Sequence, residues 1–334
     1  MQLSWISDGR SKIVAIVGIC KNAGKTTVLN AVLDQHSFNW GVLSTGRDGE
    51  TEDLLFKTPK PRVKIPQGSL FCCDRANLEE HGSRVSILSK VNRHSGNRSL
   101  WLLKAETDLE TELTGPGTSE AQLACAKQLL DMGAEKVIID GSLDRKSIVL
   151  DSAIDGIILV AGASFGSVEA ITSELRRLLI LSGIKKLNSG KADAKQLGGK
   201  HEIIIKQSGK WKSSGLASLF SHEKQLIELL STNPDAIYIP GAYSSSAHHR
   251  LSSHFGQAQL IFRHPECLKL DRNELASFLV NHDVSCLIPF PIKAIALNAK
   301  GVGSNDLASD ELLMQIRDSL PKLPVFDVME LNEQ

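Results

Sequence analysis

The sequence predicts an α/β protein: a doubly wound, mostly parallel sheet with a small β-rich insertion, followed by a smaller α/β domain. Short β-branched apolar runs at 12–17, 136–140 and 154–160 alternate with segments whose apolar residues recur at helical spacing. The runs lack the alternation of a half-exposed strand, so they suit strands that helices cover on both faces. A chain of 334 residues with 42% hydrophobic and 23% charged residues is long enough for two domains.

The pattern divides the chain into three parts. Residues 1–187 carry the main alternation, interrupted at about 58–112 by short β-rich runs that predict a mostly antiparallel insertion. Residues 188–215 are rich in Lys, Gly and Ser and predict a flexible surface segment. Nucleic-acid contact by this segment is the weaker alternative, because Trp211 is its only aromatic residue. Residues 216–334 return to strands and helices and predict the smaller domain.

The first strand, at 12–17, runs directly into the segment GICKNAGKTT at 18–27, and a helical pattern follows. A strand, a glycine-containing loop ending in Gly-Lys-Thr and a helix are the context of a phosphate-binding P-loop. The first glycine is Gly18, whereas the commoner G-x-x-x-x-G-K-[ST] pattern would place it at Ile19. The spacing resembles the loop of dethiobiotin synthetase and its relatives among the P-loop NTPases.

The residue types of this loop suit a nucleotide. Successive backbone N–H groups and the positive end of the following helix form an anion site. Gly24 allows close approach of the phosphates, Lys25 would reach the β- and γ-phosphates, and the Thr26 hydroxyl would bind Mg²⁺. ATP and Mg²⁺ are the expected cofactors, and the lack of a clear Asn-Lys-x-Asp motif favours ATP over GTP. The predicted cofactor-binding residues are Gly18, Lys21, Asn22, Ala23, Gly24, Lys25, Thr26 and Thr27.

Two carboxylates follow other predicted strands. Asp48 comes after the strand at 40–45, either as a metal-binding or catalytic acid or as part of an ordinary turn. Asp140 ends the apolar run at 136–140, as in a Walker B strand. The sequence therefore predicts Lys25, Asp48 and Asp140 as catalytic residues and Thr26, Asp48 and Asp140 as metal ligands.

Composition bounds the remaining possibilities. Lys and Arg total 38 and so do Asp and Glu, and this balance argues against a protein whose main task is to grip nucleic acid or a membrane. The six cysteines have no framework spacing, and no apolar run approaches the roughly 18 residues that span a bilayer, so a cytoplasmic location is expected. The pair His248 and His249 has no acidic neighbour of metal-ligand spacing and is predicted to lie on the surface.

The motifs together resemble one bacterial family, the P-loop subunit of the reactivating factor for lysine 5,6-aminomutase and related proteins of ornithine and lysine fermentation. The segments that carry this resemblance are GICKNAGKTT (18–27), STGRDGE (44–50), KTPKPRVKIPQGSL (57–70), TGPGTSE (114–120), IIDGSLDRKS (138–147), IYIPGA (237–242) and PVFDV (324–328).

The resemblance implies an ATP-dependent chaperone-like activity. A factor of this family would use hydrolysis to release damaged cofactor from an adenosylcobalamin-dependent aminomutase, together with a second ATPase subunit similar to mismatch-repair MutS. Two alternatives stay open. A dethiobiotin synthetase-like ligase or kinase would bind a small carboxylate near Arg47, Asp48 and Asp144, and a GTP-dependent metal or cofactor insertase would use the same loop.

Overall fold

The computed structural model describes residues 3–9, 11–35, 38–44, 62–91, 99–142, 153–187, 191–220, 222–301 and 306–329, with the main chain alone at 142, 191, 192 and 195. The described chain forms two compact units. The first unit comprises Met1–Thr172 and Pro291–Gln334, and the second unit comprises Ser173–Phe290.

The strands in chain order are β1 (Ile13–Gly18), β2 (Trp40–Ser44), β3 (Val63–Ile65), β4 (Leu70–Asp74), β5 (Val85–Lys90), β6 (Leu100–Ala105), β7 (Leu109–Thr111), β8 (Lys136–Ser142), β9 (Gly156–Gly162), β10 (Lys185–Lys186), β11 (Ile204–Gln207), β12 (Lys210–Ser213), β13 (Ala236–Ile239), β14 (Tyr243–Ser244), β15 (Gln259–Phe262), β16 (Leu268–Lys269), β17 (Val284–Cys286), β18 (Ile292–Asn298) and β19 (Val325–Asp327). The α-helices are α1 (Ser4–Ser7), α2 (Lys25–Gln35), α3 (Arg75–His81), α4 (Ser119–Asp131), α5 (Val168–Ser182), α6 (Lys191–Leu197), α7 (Glu223–Leu230), α8 (Ser245–Leu251), α9 (Arg272–Asn281) and α10 (Ser309–Ser319).

The first unit is built on a sheet of nine strands in the order β19-β18-β9-β1-β8-β2-β4-β6-β5. Every pair from β19 to β4 is parallel, and β6 is antiparallel to both β4 and β5. The central strands β1 and β9 are buried along their whole length, as expected of a sheet covered on both faces. These features confirm the predicted α/β class with a mostly parallel sheet.

Helices cover both faces of this sheet. Val42 of β2 belongs to the same buried cluster as Val28 and Val32 of α2. The preceding residue of β2, Gly41, faces the other way, and a Cβ placed there would lie 3.1 Å from Cβ of Leu129 in α4. The helices α2 and α4 therefore pack on opposite faces of the sheet.

In the described part of the region 58–112, the pairs β3–β7, β4–β6 and β5–β6 are antiparallel, as predicted, but β4, β6 and β5 belong to the main sheet. The strand β4 joins the main sheet in parallel with β2, and β6 and β5 extend the sheet to its edge. In the described part of this region, β3 and β7 form a separate two-stranded ribbon, and α3 adds a helix where β-rich structure is predicted. The physical reason is burial: all five residues of β4 are buried, which requires a covered position in a sheet.

The carboxyl-terminal part also differs from the predicted domain at 216–334. The strand β18 pairs in parallel with β9, and β19 pairs with β18, so both strands complete the first sheet. The residues 294–297 of β18 are at most 1% exposed, which shows why this strand needs partners on both sides. The second unit is therefore inserted into the first along the sequence.

The second unit has a six-stranded sheet in the order β10-β17-β15-β13-β11-β12, with β10, β17, β15 and β13 parallel. The predicted flexible segment at 188–215 contributes α6 and the hairpin β11–β12 to this unit. The hairpin turns through Ser208 and Gly209, both with positive φ, a two-residue turn that matches strand twist. Leu197 is fully buried and Asp193 accepts hydrogen bonds from Trp211 and Lys206, so the segment is part of the folded unit.

Candidate functional site

The candidate site lies where β1 ends and α2 begins. The strand β1 ends at Gly18 and α2 begins at Lys25, so the loop 19–24 joins them at the carboxyl end of a central strand. Ile19 continues the strand by one step, since its N–H donates to the carbonyl of Val160 on β9 at 2.9 Å. Ligands of parallel α/β sheets bind at this edge, outside the carboxyl ends of the strands.

The loop reverses direction through two residues with positive φ. Asn22 has φ 58° and Gly24 has φ 99°, and the second value is one that side chains rarely adopt. The carbonyl of Gly24 accepts the first helical hydrogen bond, from the N–H of Val28 at 3.1 Å. The N–H groups of Lys25, Thr26 and Thr27 therefore begin the helix without a carbonyl of the same helix to receive them. This is the arrangement of donors that binds an anion.

Gly18 makes room for the side chain of Lys25. A Cβ placed on Gly18 would lie 3.2 Å from both Cγ and Cδ of Lys25 and 3.1 Å from the carbonyl oxygen of Cys20. The stem of Lys25 therefore packs back across the start of the loop, over the position that a larger residue at 18 would fill. Because Gly18 has no side chain, the stem of Lys25 can lie at this position.

Asp140 lies on the neighbouring strand β8, between β1 and β2. It pairs with Ile16 on one side and with Ser44 on the other. Side chains paired across a parallel sheet share a face, and Ile16 belongs to the buried cluster that includes Val28 of α2. The half-buried carboxyl of Asp140 therefore lies on the face of the sheet that α2 covers.

Asn298 is the residue of this site that the sequence does not predict. It ends β18, and its Nδ2 lies 2.8 Å from the position of a Cβ on Gly24. The end of β9 lies between β18 and β1. A Cβ placed on Gly162 of β9 would lie 3.0 Å from the carbonyl oxygen of Asn298 and 3.1 Å from that of Ala23. The side chain of Asn298 also accepts a hydrogen bond from the N–H of Lys300 at 3.1 Å. Two glycines therefore let Asn298 pack directly against the loop.

Ser164 provides a further contact from the turn after β9. Its hydroxyl donates to the carbonyl of Asn22 at 3.4 Å. The loop 19–24 is therefore bounded by β9 and β18 on the side opposite β8. Neither Ser164 nor Asn298 belongs to a motif that sequence inspection singles out.

The segment TGPGTSE at 114–120 lies at the same edge of the sheet. A Cβ on Gly115 would lie 1.9 Å from the carbonyl oxygen of Ser44, so this segment crosses directly over the end of β2. Thr118 caps α4 by accepting a hydrogen bond from the N–H of Ala121 at 3.4 Å. The amino end of α4 is therefore held near the strand that pairs with Asp140.

The structure brings most of the predicted residues together and leaves others outside its described part. Lys21 and Asn22 are exposed, Ala23 is buried, and Gly24, Lys25, Thr26 and Thr27 are half-buried at the helix start. Asp48, Arg47 and Asp144 lie outside the described residues, so the predicted roles of these three remain predictions.

The described residues contain no group of three or more His, Cys, Asp or Glu side chains arranged to hold a metal ion. The predicted Mg²⁺ site is of another kind, since its protein ligands would be one hydroxyl and isolated carboxylates. Within the same part of the chain, no helix is both long enough and apolar enough to cross a membrane.

Comparison with protein-family models, with curated proteins and with solved structures finds no match to this chain. Its function is therefore inferred from the geometry of the loop and from the motif resemblance.

Proposed function

We propose that this protein binds ATP with Mg²⁺ at the loop 19–24 and hydrolyses it. The observation that carries the proposal is the junction of β1 and α2. A buried central strand leads through a loop with positive φ at Gly24 into a helix whose first residue is Lys25. The position of Gly18, Gly24 and Lys25 at this junction supports the proposal of a phosphate-binding loop.

The residues of the site fit a triphosphate and its metal. The backbone N–H groups at the start of α2 would donate to phosphate oxygens, and Lys25, whose stem packs over Gly18, would bring an ammonium group to them. Thr26 and Asp140 would hold Mg²⁺, which supplies charge neutralisation of the phosphates when it is bound. Asp48, which lies outside the described residues, is proposed as a further acid.

The contact between Asn298 and Gly24 would support the site from the other side. A loop that donates several N–H groups to one ligand must be held in a single conformation, because each displaced donor weakens binding. Asn298, Gly162 and Ser164 restrict the loop by direct contact. The loop is therefore braced by β18 and by the turn after β9.

We further propose that hydrolysis serves the reactivation of an adenosylcobalamin-dependent aminomutase, in company with a MutS-like ATPase subunit. The motif resemblance supports this part of the proposal. A site of this kind acts as a switch when segments ordered by the γ-phosphate relax after hydrolysis.

The test is steady-state ATP hydrolysis by the full chain, measured with and without an adenosylcobalamin-dependent aminomutase inactivated by turnover. The proposal predicts Mg²⁺-dependent hydrolysis that the inactivated enzyme stimulates several-fold, and recovery of aminomutase activity on addition of fresh cofactor. Phosphorylation or ligation of a small carboxylate without any protein partner would instead favour the ligase or kinase alternative. A preference for GTP would favour the insertase.

A matched pair of variants tests whether hydrolysis takes place at this loop or comes from the partner enzyme. Lys25→Ala should lose hydrolysis both with and without the aminomutase, because it removes the cation at the phosphates. Lys12→Ala, at an exposed lysine at the opposite end of β1, should behave as the wild type. Equal activity of the two variants would show that the loop is not the site.

A further inference from the structure

A cluster of aromatic and imidazole side chains joins α8 to α9 in the second unit. Phe278 of α9 is at the centre, with ring centroids 5.0 Å from Tyr243, 5.6 Å from His248 and 4.8 Å from His282. Phe255 contacts His282 from the turn after α8, at 5.9 Å between ring centroids. Both histidines therefore lie against the same buried phenylalanine, which is 1% exposed. His249 is exposed, as predicted, whereas His248 is half-buried in α8.

His282 is placed where its charged form is unfavourable. Its Nδ1 is buried and makes no hydrogen bond to any described residue. Burial lowers the pKa of His282, and the nearby His248 lowers it further. A protonated imidazole has two N–H donors, and a buried donor without an acceptor is unfavourable. The neutral ring is therefore the form that this packing accepts.

His248 belongs to the same cluster. Its Nδ1 lies 3.3 Å from the hydroxyl of Tyr243, and burial and then Glu274 raise the pKa of that phenol. A positive charge on His248 would lie beside His282, which is why His248 lowers the pKa of His282.

The other titratable groups around the cluster do not offset the cost of a charge on His282. His249 lies 3.2 Å from Glu274, and its side chain is 71% exposed, so solvent screens this contact. Glu274 is held at the start of α9, where it accepts from Ser245 at 2.5 Å and from the N–H of Asp271 at 3.2 Å. His254, on the turn after α8, and Asp283, next to His282, are both exposed.

We propose that His282 makes the packing of α8 against α9 an acid-sensitive contact, closed while its ring is neutral and opened when the ring is protonated. The direction follows from linkage. A histidine with a lowered folded pKa binds its proton more readily after opening, so the closed form loses stability as the pH falls below the ordinary histidine range. The opening equilibrium should therefore rise as the pH falls from 7.5 to 5.5, by at most about tenfold, the limit for one histidine that binds no proton in the closed form.

Hydrogen exchange of the full chain, followed by mass spectrometry at pH 7.5 and pH 5.5, tests this proposal. After correction for the intrinsic exchange rate, peptides covering α8 and α9 should lose protection at the lower pH, by up to about tenfold. Peptides covering β13 and β15 in the same unit should change much less. Unchanged protection of α8 and α9 at pH 5.5 would overturn the proposal.

Variants show whether His282 causes the effect. His282→Phe fits the aromatic surroundings without a titratable group and should abolish the acid-induced loss of protection. His282→Leu, a smaller apolar replacement, should also abolish that loss, which covers the case in which His282→Phe does not fold. His201→Gln, at an exposed position of the same unit, is the control and should respond as the wild type. Full acid sensitivity in His282→Phe or in His282→Leu would refute the proposal.

Discussion

The conformation of Gly24 gives the most detailed prediction, made for Gly24→Ala. A φ of 99° costs a residue with a Cβ about 1–2 kcal/mol. The new Cβ would also lie 2.8 Å from Nδ2 of Asn298, and moving that amide costs about 1 kcal/mol. The loop relieves this strain of about 2–3 kcal/mol by leaving the conformation that binds phosphate. Because about 1.4 kcal/mol corresponds to a tenfold change in a binding constant, the affinity for ATP should fall about 30-fold or more.

The assay is titration of the full chain with a fluorescent ATP analogue, together with thermal unfolding of each variant. Gly133→Ala is the matched control, since Gly133 has a similar φ of 106° but nothing within 4 Å of a Cβ and lies just after α4, outside the loop. It should lose stability by about 1–2 kcal/mol and keep its affinity for ATP.

A double variant divides the effect into its two causes. Asn298→Ala removes Nδ2 and Cγ from the contact with the new methyl group at position 24 but leaves Cβ at 3.2 Å. Gly24→Ala combined with Asn298→Ala should therefore recover about 1 kcal/mol, or roughly fivefold in affinity. Wild-type ATP affinity in Gly24→Ala, or an equal loss in Gly133→Ala, would refute the role given to the loop.

Three further predictions concern other residues. Asp140→Asn should raise the Mg²⁺ concentration for half-maximal hydrolysis at least about tenfold, because it removes a carboxylate ligand; an unchanged metal titration would exclude that role. Gly115→Ala should destabilise the first unit by more than about 3 kcal/mol in chemical unfolding, since its Cβ would overlap the carbonyl oxygen of Ser44 at 1.9 Å; a loss below about 1 kcal/mol would contradict this contact. Glu266 is buried, which alone would raise its pKa, but Lys269 at 2.8 Å and Arg177 at 3.5 Å lower the pKa below its usual value. The ion pairs of Glu266 therefore stabilise the folded protein at pH values above the ordinary glutamate pKa of about 4.3, and this stability is lost as the pH falls. The free energy of unfolding of Glu266→Gln should lack this loss at low pH. Identical pH profiles for the variant and the wild type would contradict the prediction.

The sequence was sufficient for the parts of the fold that are locally encoded. The apolar run at 12–17, the glycines at 18 and 24 and the helical pattern after Lys25 correspond to β1, the loop and α2. The run at 136–140 corresponds to β8, because a β-branched apolar run is informative wherever both faces of a strand are buried.

The sequence was insufficient where pairing depends on distant segments. Nothing local shows that β18 pairs with β9 rather than with the strands that precede it, since parallel pairing joins segments of any separation. For the same reason the contact of Asn298 with Gly24 cannot be read from either segment alone. The many lysines around the hairpin β11–β12 predict an exposed segment. The segment is nevertheless folded through a few buried residues, among them Leu197 and Ile203.

The central claim is that the loop 19–24 binds the phosphates of ATP, and the most direct measurement is the affinity of the full chain for MgATP by isothermal titration calorimetry. The predicted result is saturable binding to one site per chain that Lys25→Ala abolishes and Lys12→Ala preserves. Equal affinities of these two variants, or no binding by the wild type, would contradict the claim.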